Sequence, residues 1–227
     1  MTLRSNARVA GFTFLVYIAS ALTGMVLSGR ASRGEGNAAR LASIASHLPV
    51  MRTAILLELV GCFCALVLAV TLYAITRDAD PDLALLAMVC RVAEGVIGAV
   101  ALPRSLGRLW LATAAGVDAP DPAAATALGA HLFQLPGWGS TLPATFFAVG
   151  STLFAWLLLR GRIVPAWLAG LGVFASILVV VCLPLQLVGV VGSPITDAMW
   201  TPMLAFELLL AFRLIVRGAA IPQRPPA

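Results

Sequence analysis

The 227-residue chain is 60% apolar and 11% charged, with a mean hydropathy of +0.98, far from the roughly 45–50% apolar and 25% charged make-up of soluble domains. That composition excludes a soluble helical bundle, whose helices need polar outer faces, and points to an integral membrane protein. The net charge of +5 comes from fifteen arginines and no lysine against ten acids. This removes lysine chemistry such as Schiff-base formation. Because the arginines are scattered over termini and short loops, they suit anionic lipid headgroups rather than a nucleic-acid patch.

Six windows reach the roughly 20 apolar residues that a helix needs to cross a bilayer core: 9–28, 53–76, 82–103, 140–160, 165–189 and 195–216. The first follows Arg4 and Arg8 and contains a small-residue "ASA", as a signal peptide would. Its apolar run exceeds the usual 7–15 residues, and it is read as a retained span. "GRASRGEGN", after it, is glycine-rich but follows a membrane span rather than a strand, and reads as a solvated loop. Cys62, Cys64, Cys90 and Cys182 all lie inside apolar spans, so no disulfide framework is implied, and "CFC" reads as small apolar residues rather than half a metal site.

Between the third and fourth windows, "LGRLWLATAAGVDAPDPAAATALGAHLFQLPGWG" carries too many arginines and prolines for another full span. Window three is expected to run on past the membrane, turn at "DAPDP" and lead into a short interfacial helix near 123–134. A seventh crossing there would move the C-terminus to the other side. The expected fold is thus all-α: an integral membrane bundle of six transmembrane helices with that interfacial helix between spans three and four. It forms one domain over residues 1–218, with a disordered tail over 219–227 that ends in "IPQRPPA".

With the N-terminus inside, Arg4, Arg8, Arg77, Arg160, Arg162, Arg217 and Arg224 face the cytoplasm, and Arg30, Arg33, Arg40, Arg104 and Arg108 face out, a small positive-inside bias. Trp110, Trp138 and Trp200 then form an outer aromatic belt, and Trp156 and Trp167 an inner one.

Three stretches, "ARVAGFTFLVYIASALTG", "RTAILLELVGCFCALVLAVTLYAITRDADPDLALLAMVCRVAEGVIG" and "TFFAVGSTLFAWLLLRGRIVPAWLAGLGVF", together resemble a bacterial membrane family known only as domain of unknown function 4386. The resemblance covers most of residues 8–217. Its most telling parts are the arginine and glutamate of "RVAEG" and the "GRIVPAWL" loop. The segment from "GVDAP" to "LPGW" fits less well, which leaves His131 outside any carry-over. The resemblance implies six helices and a bacterial inner membrane, and no known reaction.

The chemistry-bearing residues are few. Arg91, Glu94, Gly95 and Gly98 share one helical stripe, and Glu58, Gly61, Cys62, Ala65 and Ala69 share another. A charge in lipid must face the bundle interior or water, and small residues let helices approach closely, so both stripes are expected to point inward and at each other. At about 1.5 Å per residue, Glu58 lies about 7 Å, Glu94 about 13 Å, and Arg91 and Glu207 about 18 Å below the outer surface. Arg91 and Glu207 are therefore expected to meet near the bilayer centre.

One arginine cannot neutralise three carboxylates, so at least one acid should be protonated or in contact with water. Glu58, Glu94 and Glu207 are the candidate proton donors and acceptors. Arg91 and His131 are candidates for ligand binding or a structural ion pair, with His131 placed to reach towards Glu58. No two histidines have helical ligand spacing, no metal site is expected, and no cofactor is implied. No GxSxG elbow, HExxH pair, phosphate loop or dinucleotide fingerprint occurs.

Three functions fit. The chain holds a hydrophobic or lipid-like ligand in a polar-lined intramembrane cavity, with membrane lipids and a hydrophobic small molecule as partners and no nucleic acid. Or it is a membrane-embedded acid/base enzyme of cyclase or isomerase type on an isoprenoid or lipid substrate. Or it is a proton-coupled carrier, which the absence of inverted repeats disfavours. A purely structural ionic lock around Arg91 is the alternative to all three.

Overall fold

The computed structural model describes residues 2–115, 119–134, 138–191 and 193–220, and among them the secondary structure is helical with no strand. The elements are α1 (Leu3–Ala31), α2 (Asn37–Ser46), α3 (Leu48–Thr76), α4 (Pro81–Val100), α5 (Leu102–Thr113), α6 (Pro122–Gln134), α7 (Trp138–Arg160), α8 (Ala166–Leu187), α9 (Ser193–Ala198) and α10 (Trp200–Arg217). Five stretches are helical, long and apolar enough to cross a membrane: Leu3–Ala31, Leu48–Thr76, Pro81–Thr113, Thr141–Arg160 and Ala166–Leu187. This is the pattern of a multi-pass membrane protein. The terminal "IPQRPPA" lies outside the described residues.

Each expected apolar window corresponds to a helix, with two breaks. Window three does run on, but not as one helix. Pro103 has no N–H to donate and its ring crowds the preceding turn; α4 accordingly ends at Val100, and α5 restarts at Leu102. The sixth window is likewise divided at Met199 into the short α9 and α10, with Pro202 in the first turn of α10. The expected helix at 123–134 is present as α6. One helix, α2, has no counterpart in the sequence reading.

The long helices close into a ring: α1 packs on α3, α3 on α4, α4 on α7, α7 on α8, α8 on α10, and α10 back on α1. Its outer face carries large exposed apolar side chains, among them Phe12, Phe63, Val70, Leu86, Phe174 and Phe212. A soluble surface does not sustain such a continuous apolar covering, whereas lipid tails do. Trp110 and Trp200 are exposed at one end of the bundle, and Trp156 and Trp167 at the other, as interfacial belts require.

Small residues and one polar clamp set the helix register. A Cβ on Gly95 would lie 3.0 Å from the carbonyl oxygen of Cys62, so α4 approaches α3 at backbone distance along the two predicted stripes. Asp80 caps α4 by accepting from Leu83 N–H at 3.2 Å, and its other oxygen accepts from Arg160 Nη1 at 2.9 Å. This clamps the start of α4 to the end of α7. Gly150 is ten residues before Arg160 and Arg91 eleven after Asp80, so the clamp brings them level. A Cβ on Gly150 would lie 3.2 Å from both the Arg91 Cγ and the Ala87 carbonyl oxygen.

Candidate functional site

Arg91 lies inside the ring with 1% of its surface exposed. Its Nη1 pairs with Glu94 Oε2 at 2.9 Å, one turn along the same helix. The other oxygen of Glu94 accepts the Tyr17 hydroxyl from α1 at 2.7 Å. Aromatic faces complete the surroundings of the guanidinium, whose Cζ lies 4.8 Å from the Phe147 ring centroid and 5.5 Å from that of Tyr17. A ring face attracts a cation electrostatically, and more strongly where water is excluded. The charges of Arg91 and Glu94 thus offset each other, with Tyr17 from α1 and Phe147 from α7 around them, where either charge alone would be costly.

The expected meeting of Arg91 and Glu207 takes a different form. Glu207, 6% exposed on α10, makes no ion pair within 4 Å among the described residues, and its Oε1 is buried without a hydrogen-bond partner there. It faces Arg91 across a cavity of about 10 Å³ that Ser151 also lines, about the room one water needs. Arg91 pairs along its own helix because Glu94 at i+3 is already in reach, so nothing draws it across to α10.

Above the Tyr17–Glu94 pair opens a much larger cavity of about 560 Å³, lined by α1, α3, α4, α5, α7 and Trp200 at the start of α10. The two predicted stripes, packed against each other, both line it, with Glu58, Gly61, Cys62 and Ala65 from α3 beside Glu94, Gly95 and Gly98 from α4. Its walls are otherwise largely Ala, Gly, Met, Leu and aromatic side chains. It communicates with the outside of the bundle, since Ala21, Met25, Glu58 and Trp200 line it and are exposed.

Towards the end where α1 stops and α3 begins, three polar groups form a chain. Arg108 Nη2 donates to Ser105 Oγ at 3.1 Å, and Ser105 Oγ donates to Glu58 Oε2 at 3.0 Å. Ser105 and Arg108, one turn apart on α5, continue the stripe of Glu94 and Gly98 past Ala101 to reach Glu58 through Ser105. His131 is exposed on α6 and is not among the cavity-lining residues; the partner of Glu58 is Ser105. His47 is also exposed, beside the Ser43 carbonyl and the Ser46 hydroxyl.

Of the sequence-predicted residues, the structure therefore brings Glu94 and Arg91 into one ion pair and Glu58 and Glu94 onto one cavity. Glu207 lies behind Arg91, and His131 stands apart. Sequence reasoning missed Tyr17, Phe147, Ser105 and Arg108. Tyr17 had a signal: a tyrosine in mid-span needs a partner for its hydroxyl. Among the described residues no group of three or more metal-ligating side chains occurs.

A family model described as Domain of unknown function (DUF4386) matches residues 9–218. The chain belongs to that family. The DUF4386 match spans the whole ring from α1 to α10, both cavities and the Arg91–Glu94 pair. Neither a curated protein nor a solved structure matches the chain.

Proposed function

We propose that this DUF4386 protein holds a hydrophobic or lipid-like molecule in the 560 Å³ cavity between its membrane helices. The observation that carries this reading is the cavity itself. Its volume lies in the roughly 300–1,000 Å³ range of small-molecule sites, and its walls are mostly apolar with a few polar groups at defined places. The Arg91–Glu94–Tyr17 cluster serves as its floor, and the chain Arg108–Ser105–Glu58 stands at its mouth. In this reading the ionic lock and the cavity are one construction, because the lock holds α1, α4 and α7 in the positions that leave the space open.

The reading includes a sixth crossing by α10. Its 18 residues span about 27 Å at 1.5 Å each, close to the hydrocarbon thickness. It closes the ring, turns Glu207 inward, and carries Arg213 and Arg217 near its final turn. The 13 residues of α6 reach only about 20 Å and suit an interfacial position. Both termini are then cytoplasmic, in a bacterial inner membrane.

A membrane-embedded acid/base enzyme is the second reading, favoured by the position of Glu58. Both oxygens of Glu94 are engaged, whereas Glu58 faces the cavity with a hydroxyl donor on one oxygen. Glu58 would be the group that exchanges a proton with a bound substrate.

The test uses the protein in phosphatidylcholine nanodiscs with hexadecanol bearing a photoreactive diazirine at mid-chain. Label on cavity-lining peptides of α1, α3 and α7, reduced several-fold by Ala144→Trp, supports the reading. Label confined to outward side chains such as Phe12 and Phe63, and unchanged by Ala144→Trp, refutes it.

A further inference from the structure

We propose that the occupant is a single-chain amphiphile with an anionic head, a carboxylate or a phosphate monoester. Its head sits at Arg108 and its chain runs inward towards Tyr17 and Phe147; this rests on the cavity reading above. Capacity admits the single chain: 560 Å³ lies within the roughly 300–1,000 Å³ of small-molecule sites, ample for one chain of about 16 carbons.

The inner end suits a chain terminus. The Glu94 oxygens are taken by the Tyr17 hydroxyl and by Arg91, so the groups left facing the space there are chiefly the rings of Tyr17 and Phe147. The mouth has the opposite character. Arg40 and Arg108 place their guanidinium carbons 5.5 and 5.7 Å from the Phe133 ring centroid, from opposite elements α2 and α5. Arg104 joins them, donating Nε to the Leu132 carbonyl at 2.9 Å. Three cations therefore gather where, among the described residues, the cavity mouth contributes one carboxylate, Glu58.

Arg108 is the member of this group that lines the cavity. It commits Nη2 to Ser105. Its guanidinium charge at the cavity wall attracts the anionic oxygens of a carboxylate or phosphate. Glu58 is bonded to Ser105 on the same chain of groups, which fixes the serine hydroxyl and leaves the charge excess of the mouth positive.

The test extends the nanodisc labelling to a head-group series on one 16-carbon diazirine chain: carboxylate, phosphate, alcohol and ammonium. On wild-type protein at least one anionic probe should label the cavity at about tenfold lower concentration than the alcohol, and the better of the two anions identifies the acid or the phosphate as the head. Arg108→Gln should bring both anions to the level that the alcohol shows on the same variant, and Arg108→Lys should keep part of the preference. Equal labelling by alcohol and anions, a preference for ammonium, or an anion preference that survives Arg108→Gln overturns the head assignment and leaves the cavity reading standing. If no probe labels the cavity, both fall. The wild-type series decides the charge preference without any variant.

Discussion

The Tyr17 hydroxyl on α1 and Glu94 Oε1 on α4 lie 2.7 Å apart, and that bond ties two non-adjacent members of the helix ring across its interior. Its acceptor is a buried carboxylate whose other oxygen pairs with Arg91. Tyr17→Phe keeps the ring and removes only the donor. Bonds to charged groups contribute roughly 1.5–3 kcal/mol, and a loss of that size is expected in thermal unfolding of the detergent-solubilised protein. Thr13→Ser, half-exposed one turn earlier on α1, should change it by less than about 0.5 kcal/mol.

Arg91→Leu leaves Glu94 as an unpaired buried charge and should cost about 3–5 kcal/mol. Arg108→Leu, at a half-exposed position, should cost clearly less. The double variant Arg91→Leu with Glu94→Leu should recover part of the loss, because an apolar pair of similar volume no longer strands a charge. Equal small losses at Arg91 and Arg108 would place Arg91 in contact with water.

Helix approach gives a contrast of sign. Gly29 in α1 has nothing within 4 Å of an added Cβ, whereas at Gly150 the Ala87 carbonyl, Arg91 Cγ and Cys90 Cβ all lie at 3.2 Å. Gly29→Ala should raise stability by up to about 1 kcal/mol through helix propensity. Gly150→Ala should lower it by about 1–3 kcal/mol, since the neighbouring backbone cannot give way cheaply. Midpoints of thermal unfolding for the two variants check the pair.

Much of this was legible in the sequence. The membrane helices follow from apolar windows and their length. The inward turn of Glu94 and Glu58 onto one space follows from charge sharing a stripe with glycine and alanine. What periodicity cannot supply is which faces meet. It marks the face of α1 but does not say that Tyr17 meets Glu94. Depth counting put Arg91 and Glu207 level but took no account of the partner one turn along α4. Ser105 and Arg108 were legible as well: they continue the stripe of Glu94, Gly98 and Ala101 at helical spacings of three and four and line the same cavity, a stripe followed here only as far as Gly98. The helix α2 escaped because "NAARLASIAS" is short and lacks the apolar run that marked the others.

Reporter fusions after residue 120 and after residue 227 should fall on opposite sides of the membrane, with the C-terminal one cytoplasmic. The first follows Pro81–Thr113, the third apolar stretch, and the second follows α10. Both fusions on one side would mean that α10 does not cross or that α6 does.

The most direct measurement is an electron cryomicroscopy map of the protein in nanodiscs made from its native membrane. An occupied cavity predicts elongated density running from Arg108 at the mouth to the rings of Tyr17 and Phe147, with the Arg91–Glu94 pair intact beneath it. A cavity filled only by discrete water peaks, or closed by α1 packing directly against α7, would contradict the central claim and leave the charged cluster as a structural lock.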